Sequence, residues 1–244
     1  MSRRGWCFRG RRAQFLSCGV AAAALLPSAC GSQIGMGRAR TLDRGRLVLG
    51  ASSELDVASA GQGEDQSIPV PWAQVGVAAH YGLHDRVEIG GRVWGFGLPN
   101  VAASYGAAVD SKFGVYRPDP TQKRLWNVAT GLSLSYQQIL YADAPQHIFG
   151  GTIPLLVGYD FGPHELVFGP RGAAFISTSY GQETVITVWP GASVGVAIAI
   201  GKTFELFPEM VLLYSPISLN GESSSEGRTG VAVLQLGLGA NLRL

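Results

Sequence analysis

The chain has no cysteine beyond Cys30. Its three, Cys7, Cys18 and Cys30, all fall in the N-terminal stretch, so the body holds no disulfide framework, no thiolate metal site and no thiol nucleophile. Charge is scarce, at 15% of 244 residues. Uninterrupted apolar runs are missing too: none reaches the roughly 18 residues that a membrane-spanning helix requires, which excludes a helical membrane protein. There is no HExxH, no cysteine cluster and no Asp-rich calcium loop, so no metal and no cofactor is expected. A basic nucleic-acid-binding stripe is absent as well. Of 19 basic residues, nine are arginines in the first 46 positions (Arg3, Arg4, Arg9, Arg11, Arg12, Arg38, Arg40, Arg44 and Arg46), with only Asp43 opposing them. From Leu47 onward 10 basic residues face 16 acidic ones, and no nucleic-acid partner is expected.

What is present is glycine, 34 residues of it, and an apolar fraction of 46% distributed by alternation. In 86–94, Val87, Ile89 and Val93 lie on one face, with Glu88, Gly90 and Arg92 on the other. In 128–136, Val128, Leu132, Leu134 and Tyr136 oppose Ala129, Gly131, Ser133 and Ser135. In 234–242, Leu234, Leu236, Leu238 and Leu242 oppose Gln235, Gly237, Gly239 and Asn241. One face is strongly apolar and the other small or polar, the reverse of a soluble sandwich. The period predicts ten strands, near 45–58, 70–83, 86–96, 101–117, 125–140, 147–161, 165–178, 185–200, 203–215 and 230–244. Many exceed the roughly 9–11 residues that a tilted strand needs to cross a bilayer. The fold class expected is all-β: a closed antiparallel up-and-down transmembrane barrel of about ten strands, within a range of about 8–12.

Connectors alternate in length. His84-Asp85, Gly162-Pro163-His164 and Gly201-Lys202 are short; 59–69 and 216–229 are long and polar. Long and short links on opposite rims, with an even strand number, place both termini on the short-turn, periplasmic side. Aromatics gather near strand ends. Tyr81, Tyr116, Trp126, Tyr159, Phe161 and Phe204 are assigned to the short-turn rim, and Trp94, Phe96, Tyr136, Tyr141, Phe149, Tyr180 and Tyr214 to the long-loop rim.

Residues 1–29 read as a secretory signal: a basic start, a short apolar stretch Phe15 to Leu26, then small residues. The phrase Leu25-Leu26-Pro27-Ser28-Ala29-Cys30-Gly31 resembles the lipobox of bacterial lipoproteins, with Pro27 where that motif usually carries leucine. The resemblance implies acylation (palmitate) of Cys30. Residues 30–46 then read as a lipidated basic tether lying against anionic headgroups, and 47–244 as the barrel. The body as a whole resembles the outer-membrane β-barrel superfamily, and with its leader the small barrel lipoproteins of Gram-negative bacteria. Gly37-Arg-Ala-Arg-Thr-Leu-Asp-Arg-Gly-Arg46 leading into the first strand and Tyr81-Gly-Leu-His-Asp-Arg-Val-Glu-Ile-Gly90 carry that likeness. The chain departs from the superfamily's frequent terminal Phe or Trp by ending Leu242-Arg243-Leu244.

The resemblance implies a monomer in the cell outer membrane, with outer-membrane lipid as its partner and small solutes as candidate cargo. The role expected is envelope-structural or narrow-pore transport, with a membrane-embedded lipid-modifying enzyme or a loop-mediated surface binder as alternatives. Catalysis is not expected. Of four histidines, His80, His84 and His164 sit near the short turns, and only His147, with Ser177 and Ser179 as neighbours, lies at the long-loop rim. The residues expected to project into the lumen are Glu54, Asp56, Glu88, Arg92, Asp110, Lys112, Arg171, Glu205 and Glu209. They are read as interior salt bridges, or else as a selectivity constriction.

Overall fold

The structure is a computed structural model, and it describes residues 37–62, 65–66, 70–98, 102–118, 126–141, 145–179, 184–215 and 231–244. The signal segment and Cys30 lie outside the described residues, as do most of the long connectors.

Among the described residues eleven strands form: β1 (Leu47–Gln62), β2 (Asp65–Gln66), β3 (Val70–His84), β4 (Val87–Leu98), β5 (Ala102–Tyr116), β6 (Trp126–Tyr141), β7 (Pro145–Phe161), β8 (His164–Ser179), β9 (Val185–Ile200), β10 (Phe204–Ser215) and β11 (Val231–Arg243). β2 is a two-residue strand paired with Gly61 and Gln62 at the tip of β1. The other ten form a barrel in which each strand pairs antiparallel with its sequence neighbour. β11 returns to β1, from Val48↔Arg243 to Ala60↔Val231, and closes the sheet. Closure leaves no barrel edge with unpaired backbone groups, the condition for a β structure to sit in lipid. The link expected over 59–69 is thus partly strand, because β1 runs on to Gln62.

Glycine fixes two of the short turns. Gly162 and Gly201 take positive φ (70° and 71°), a backbone region that costs a residue with Cβ. Proline interrupts the ladder without opening the wall. β6–β7 pairing lapses opposite Pro154, β7–β8 pairing beside Pro170 and β9–β10 pairing at Pro208, where no N–H is available to donate.

Alternation sorts the side chains as the period predicts. Val75, Val77, Val93, Val109, Leu134, Ile153, Leu212 and Leu238 are exposed around the outside, and they form an apolar girth suited to acyl chains. At the short-turn rim, the Trp126 ring packs against Tyr159 and Phe168 with centroids 4.9 and 6.3 Å apart. At the opposite rim, Tyr136 contacts His147 and Phe149. Two rim assignments are corrected. Trp94 is buried in the lumen, where its ring occupies the space left by Gly106, and Phe96 packs tilted against the Trp72 ring, with centroids 4.3 Å apart. Both share the parity of Arg92, which points inward; nearness to a strand end does not decide the face.

Candidate functional site

The lumen is layered from the short-turn mouth upward. The first layer comes from the residues expected to form a tether. Residues 37–46 instead fold back into the mouth as a plug, with Ala39 and Thr41 only 1% and 3% exposed. The reason is electrostatic, since three buried glutamates offer acceptors that a basic segment can satisfy. Glu205 Oε2 accepts from Arg38 Nε at 2.6 Å and also receives the Arg243 guanidinium. Glu165 Oε1 accepts from the Arg40 backbone N–H at 3.3 Å. Glu88 accepts from the Leu42 backbone N–H at 3.0 Å, from Lys112 Nζ at 3.0 Å and from His80 Nδ1 at 3.2 Å. Lys112 in turn donates to the Arg38 carbonyl at 3.1 Å.

Neutral bonds complete the seat. Thr41 Oγ1 donates to the Asp85 carbonyl at 2.7 Å, and the Gly45 N–H donates to the Gly82 carbonyl at 2.8 Å. Ala39 packs with Leu156, Val167, Ala197 and Phe207. Two glycines are needed for the fit. A Cβ at Gly158 would collide with the Glu165 carboxylate and Ala39, and one at Gly82 with the Asp43 carbonyl. Outside the membrane span, Arg117 hydrogen-bonds Asp43 and holds its carboxyl below the usual carboxylate range.

Above the plug lies a belt of paired charge. Arg92 reaches Asp110 at 3.4 Å and donates to Ser133 Oγ at 3.0 Å, linking β4, β5 and β6. Arg171 bridges to Glu209 and donates to Ser193 Oγ at 2.8 Å, linking β8, β9 and β10. Asp56 Oδ2 accepts from Gln74 Nε2 at 2.8 Å. The structure places all nine sequence-derived lumen residues inside: Glu54, Asp56, Glu88, Arg92, Asp110, Lys112, Arg171, Glu205 and Glu209 are each buried. It divides them, with Glu88, Lys112 and Glu205 serving the plug and the other six forming the belt.

The third layer reverses an expectation. The alternation predicts a small or polar inner face, yet towards the long-loop rim Ile139, Ile148, Ala173, Phe175, Trp189, Val211, Leu213 and Val233 form a buried apolar cap inside the barrel. Glycine makes room for it, since a Cβ at Gly150 would overlap the Phe175 ring. Two interior voids among the described residues are small: one beside Ser52, Gly76, Arg92 and Trp94 is about 30 Å3, and another against the plug, at Glu88, Lys112 and Glu205, is about 50 Å3, each room for a few water molecules.

Sequence reasoning missed Glu165, which is fully buried and shares inward parity with Val167 and Arg171. Its adjacency to the Gly162–Pro163 turn disguised it as a rim residue. It also missed that Arg38 and Arg243 meet on one carboxylate, a contact 167 positions apart for Arg38 and Glu205. Of the residues considered for catalysis, His147 and Ser177 are not brought together, and the side chain of Ser179 lies outside what the structure describes. On the paired strands β7 and β8, His147 sits opposite Thr178 and shares the outward parity of Phe149, while Ser177 shares the inward parity of Phe175. His147 is hydrogen-bonded to Tyr136 Oη at 2.9 Å, and Ser177 Oγ accepts from Gln146 at 2.7 Å. Among the described residues no three His, Cys, Asp or Glu side chains converge to hold a metal, and no helix is long and apolar enough to cross a membrane.

No family model matches the chain, and no curated protein matches it. Solved structures similar to it include the outer membrane protease OmpT of Escherichia coli, at 11% identity and TM-score 0.44, over 87% of this chain and 99% of that one. An outer membrane channel of Pseudomonas putida F1 aligns at 10% identity and TM-score 0.43, over 87% of this chain and 100% of that one. The translocator domain of the autotransporter NalP of Neisseria meningitidis aligns at 14% identity and TM-score 0.38, over 93% and 95%. The closed ten-stranded barrel with its apolar girth, described above from its own geometry, is the architecture of an outer-membrane β-barrel.

Proposed function

We propose that this protein is an outer-membrane barrel lipoprotein with an envelope-structural role, closed to solutes at rest. The observation that carries this reading is the filled lumen: plug, charge belt and apolar cap succeed one another along the axis, with voids of about 30 and 50 Å3 between them. A solute would have to break several ion pairs and displace packed aromatic rings to pass. The closed sheet offers no barrel edge for a second copy, which supports a monomer. His147 and Ser177 share the parity of opposite sides of the wall, which supports a non-catalytic reading.

Acylation of Cys30 fits this picture by reach. Cys30 precedes Gly37 by seven residues. At ~3.3–3.6 Å per residue, seven residues extend to about 25 Å, enough to return from the lumen to the membrane surface at the mouth. The test has two arms on the full chain. Palmitate labelling of cells should mark the wild type and not Cys30→Ser. Planar-bilayer recording of the refolded protein should show no steady conductance. Stepwise single-channel current from the wild type would overturn the closed reading in favour of narrow-pore transport.

A further inference from the structure

A cleft of about 470 Å3 opens outside the plug, between residues 38–48, the Lys202–Thr203 turn and the end of β11. Five cations line it: Arg38, Arg40, Arg46, Lys202 and Arg243. The carboxylates do not balance them. Glu205 is shared by Arg38 and Arg243. Asp43 stands 4.0 Å from Arg40 and is engaged by Arg117. Arg46 and Lys202 are exposed and form none of the ion pairs seen among the described residues, although the Arg46 charge acts on Asp43. With Glu165, 3.9 Å from Arg38, counted beside Glu205 and Asp43, five cations face three carboxylates, one of them already held by a cation from outside the cleft.

We propose that this cleft binds a phosphate ester. Guanidinium groups converging on a recess match the tetrahedral, multiply charged phosphate through forked, charge-assisted hydrogen bonds. Half-enclosed walls lower the local dielectric and strengthen each contact relative to open water. Leu42, Leu47 and Leu244 supply an apolar flank beside the cations, suited to a glycerol backbone or the start of an acyl chain. The same chemistry is offered by a free periplasmic phosphate ester and by the headgroup of an anionic phospholipid.

The test uses the full chain folded in phosphatidylcholine nanodiscs at about 0.15 M salt, where exposed charges are screened beyond about 8 Å. Titration calorimetry with sn-glycerol 3-phosphate should give saturable binding. Native mass spectrometry of discs doped with phosphatidylglycerol reads headgroup capture. Arg46→Gln combined with Lys202→Gln removes two exposed cations that take no part in the ion pairs of the plug, and a heat-modifiability gel checks that the barrel folds. The double variant should weaken whichever ligand binds by at least about tenfold, the size of one lost charge-assisted hydrogen bond. Saturable glycerol phosphate binding identifies a soluble ligand; phosphatidylglycerol enrichment without it identifies the headgroup. Neither signal in the wild type, or signals unchanged in the double variant, would overturn the site.

Discussion

Arg38 Nε donates to Glu205 Oε2 at 2.6 Å, and through this bond the segment ahead of the first strand is pinned to the start of β10. Glu205 is buried and keeps Arg243 as a second partner, and Glu165, 3.9 Å from Arg38, keeps the Arg40 backbone N–H, so removing Arg38 leaves both carboxylates a donor. Arg38→Met should therefore loosen the plug without unfolding the barrel. Hydrogen–deuterium exchange should rise across residues 38–46, while β10 and β11 stay protected. The expected local cost is about 1.5–3 kcal/mol, that of a hydrogen bond to a charged group. Uniform exchange across the strands would refute the plug as a separable element.

The plug also depends on what is missing beneath it. Gly158 faces Glu165 and Ala39 so closely that any Cβ must displace one of them. Gly158→Val should eject residues 38–42 or force the Glu165 carboxylate out of its seat. Protease should then cut the N-terminal segment in the folded barrel. Gly172→Ala is the control, because nothing lies within 4 Å of a Cβ there. Equal protease resistance in the two variants would show that the seat is not tight.

The pair Arg171 and Glu209 tests the belt. Both side chains are 2% exposed, so neither can be replaced alone without leaving its partner charged and dry. Arg171→Met should cost about 3–5 kcal/mol, and the double change with Glu209→Gln should recover much of it. Urea unfolding in lipid, followed by tryptophan fluorescence, gives both values. Additive losses would mean that the two groups do not interact.

Much of this was legible in the sequence, for one physical reason. Lipid outside and a narrow lumen inside impose period two on every strand, and ten strands with their short turns followed from that period alone. Parity also placed Glu54, Arg92 and Arg171 inside. Long-range partnership was not legible. Nothing local in Gly37-Arg38-Ala39-Arg40 says that three glutamates from β4, β8 and β10 will receive it. A basic glycine-rich run reads as solvated until the acceptors are seen together. The apolar cap was hidden too, since Val211-Leu212-Leu213 is apolar on both faces and obscures the alternation that elsewhere reveals the inside.

Asp43 predicts how the plug responds to acid. The hydrogen bond from Arg117 lowers its carboxyl pKa, against a smaller opposing push from burial. A depressed folded value contributes stability above the unfolded pKa of about 3.9 and loses it as pH falls through the folded value. The plug should therefore keep its exchange protection from neutral pH down to about 4 and lose part of it only below that. The loss should be small, because the Asp43 side chain is 58% exposed and solvent screens the pair. Asp43→Asn should already show the low-pH protection level at neutral pH and no further step on acidification around residue 43. A step centred near neutrality would point to a different group.

The outer surface gives the test of membrane placement. Val109 lies midway along β5, on the outside, and is 64% exposed, whereas Leu83 lies at the short-turn end of β3 and is 48% exposed. Both sites are exposed, and in a bilayer they differ chiefly in depth. Arginine at the midplane of a barrel's lipid face costs about 2–4 kcal/mol, and near the interface about 0–1. Val109→Arg should thus lower the unfolding free energy in phospholipid by the larger amount, and Leu83→Arg by little. In water both would be mild surface changes with no depth dependence. Ser133→Ala, inside the lumen at Arg92, separates the lipid term from a general fragility of the wall. Its loss should follow one hydrogen bond, about 1.5–3 kcal/mol, and be the same in thin and thick bilayers. The Val109→Arg penalty should grow with bilayer thickness, because only that substitution holds a charge in the hydrocarbon.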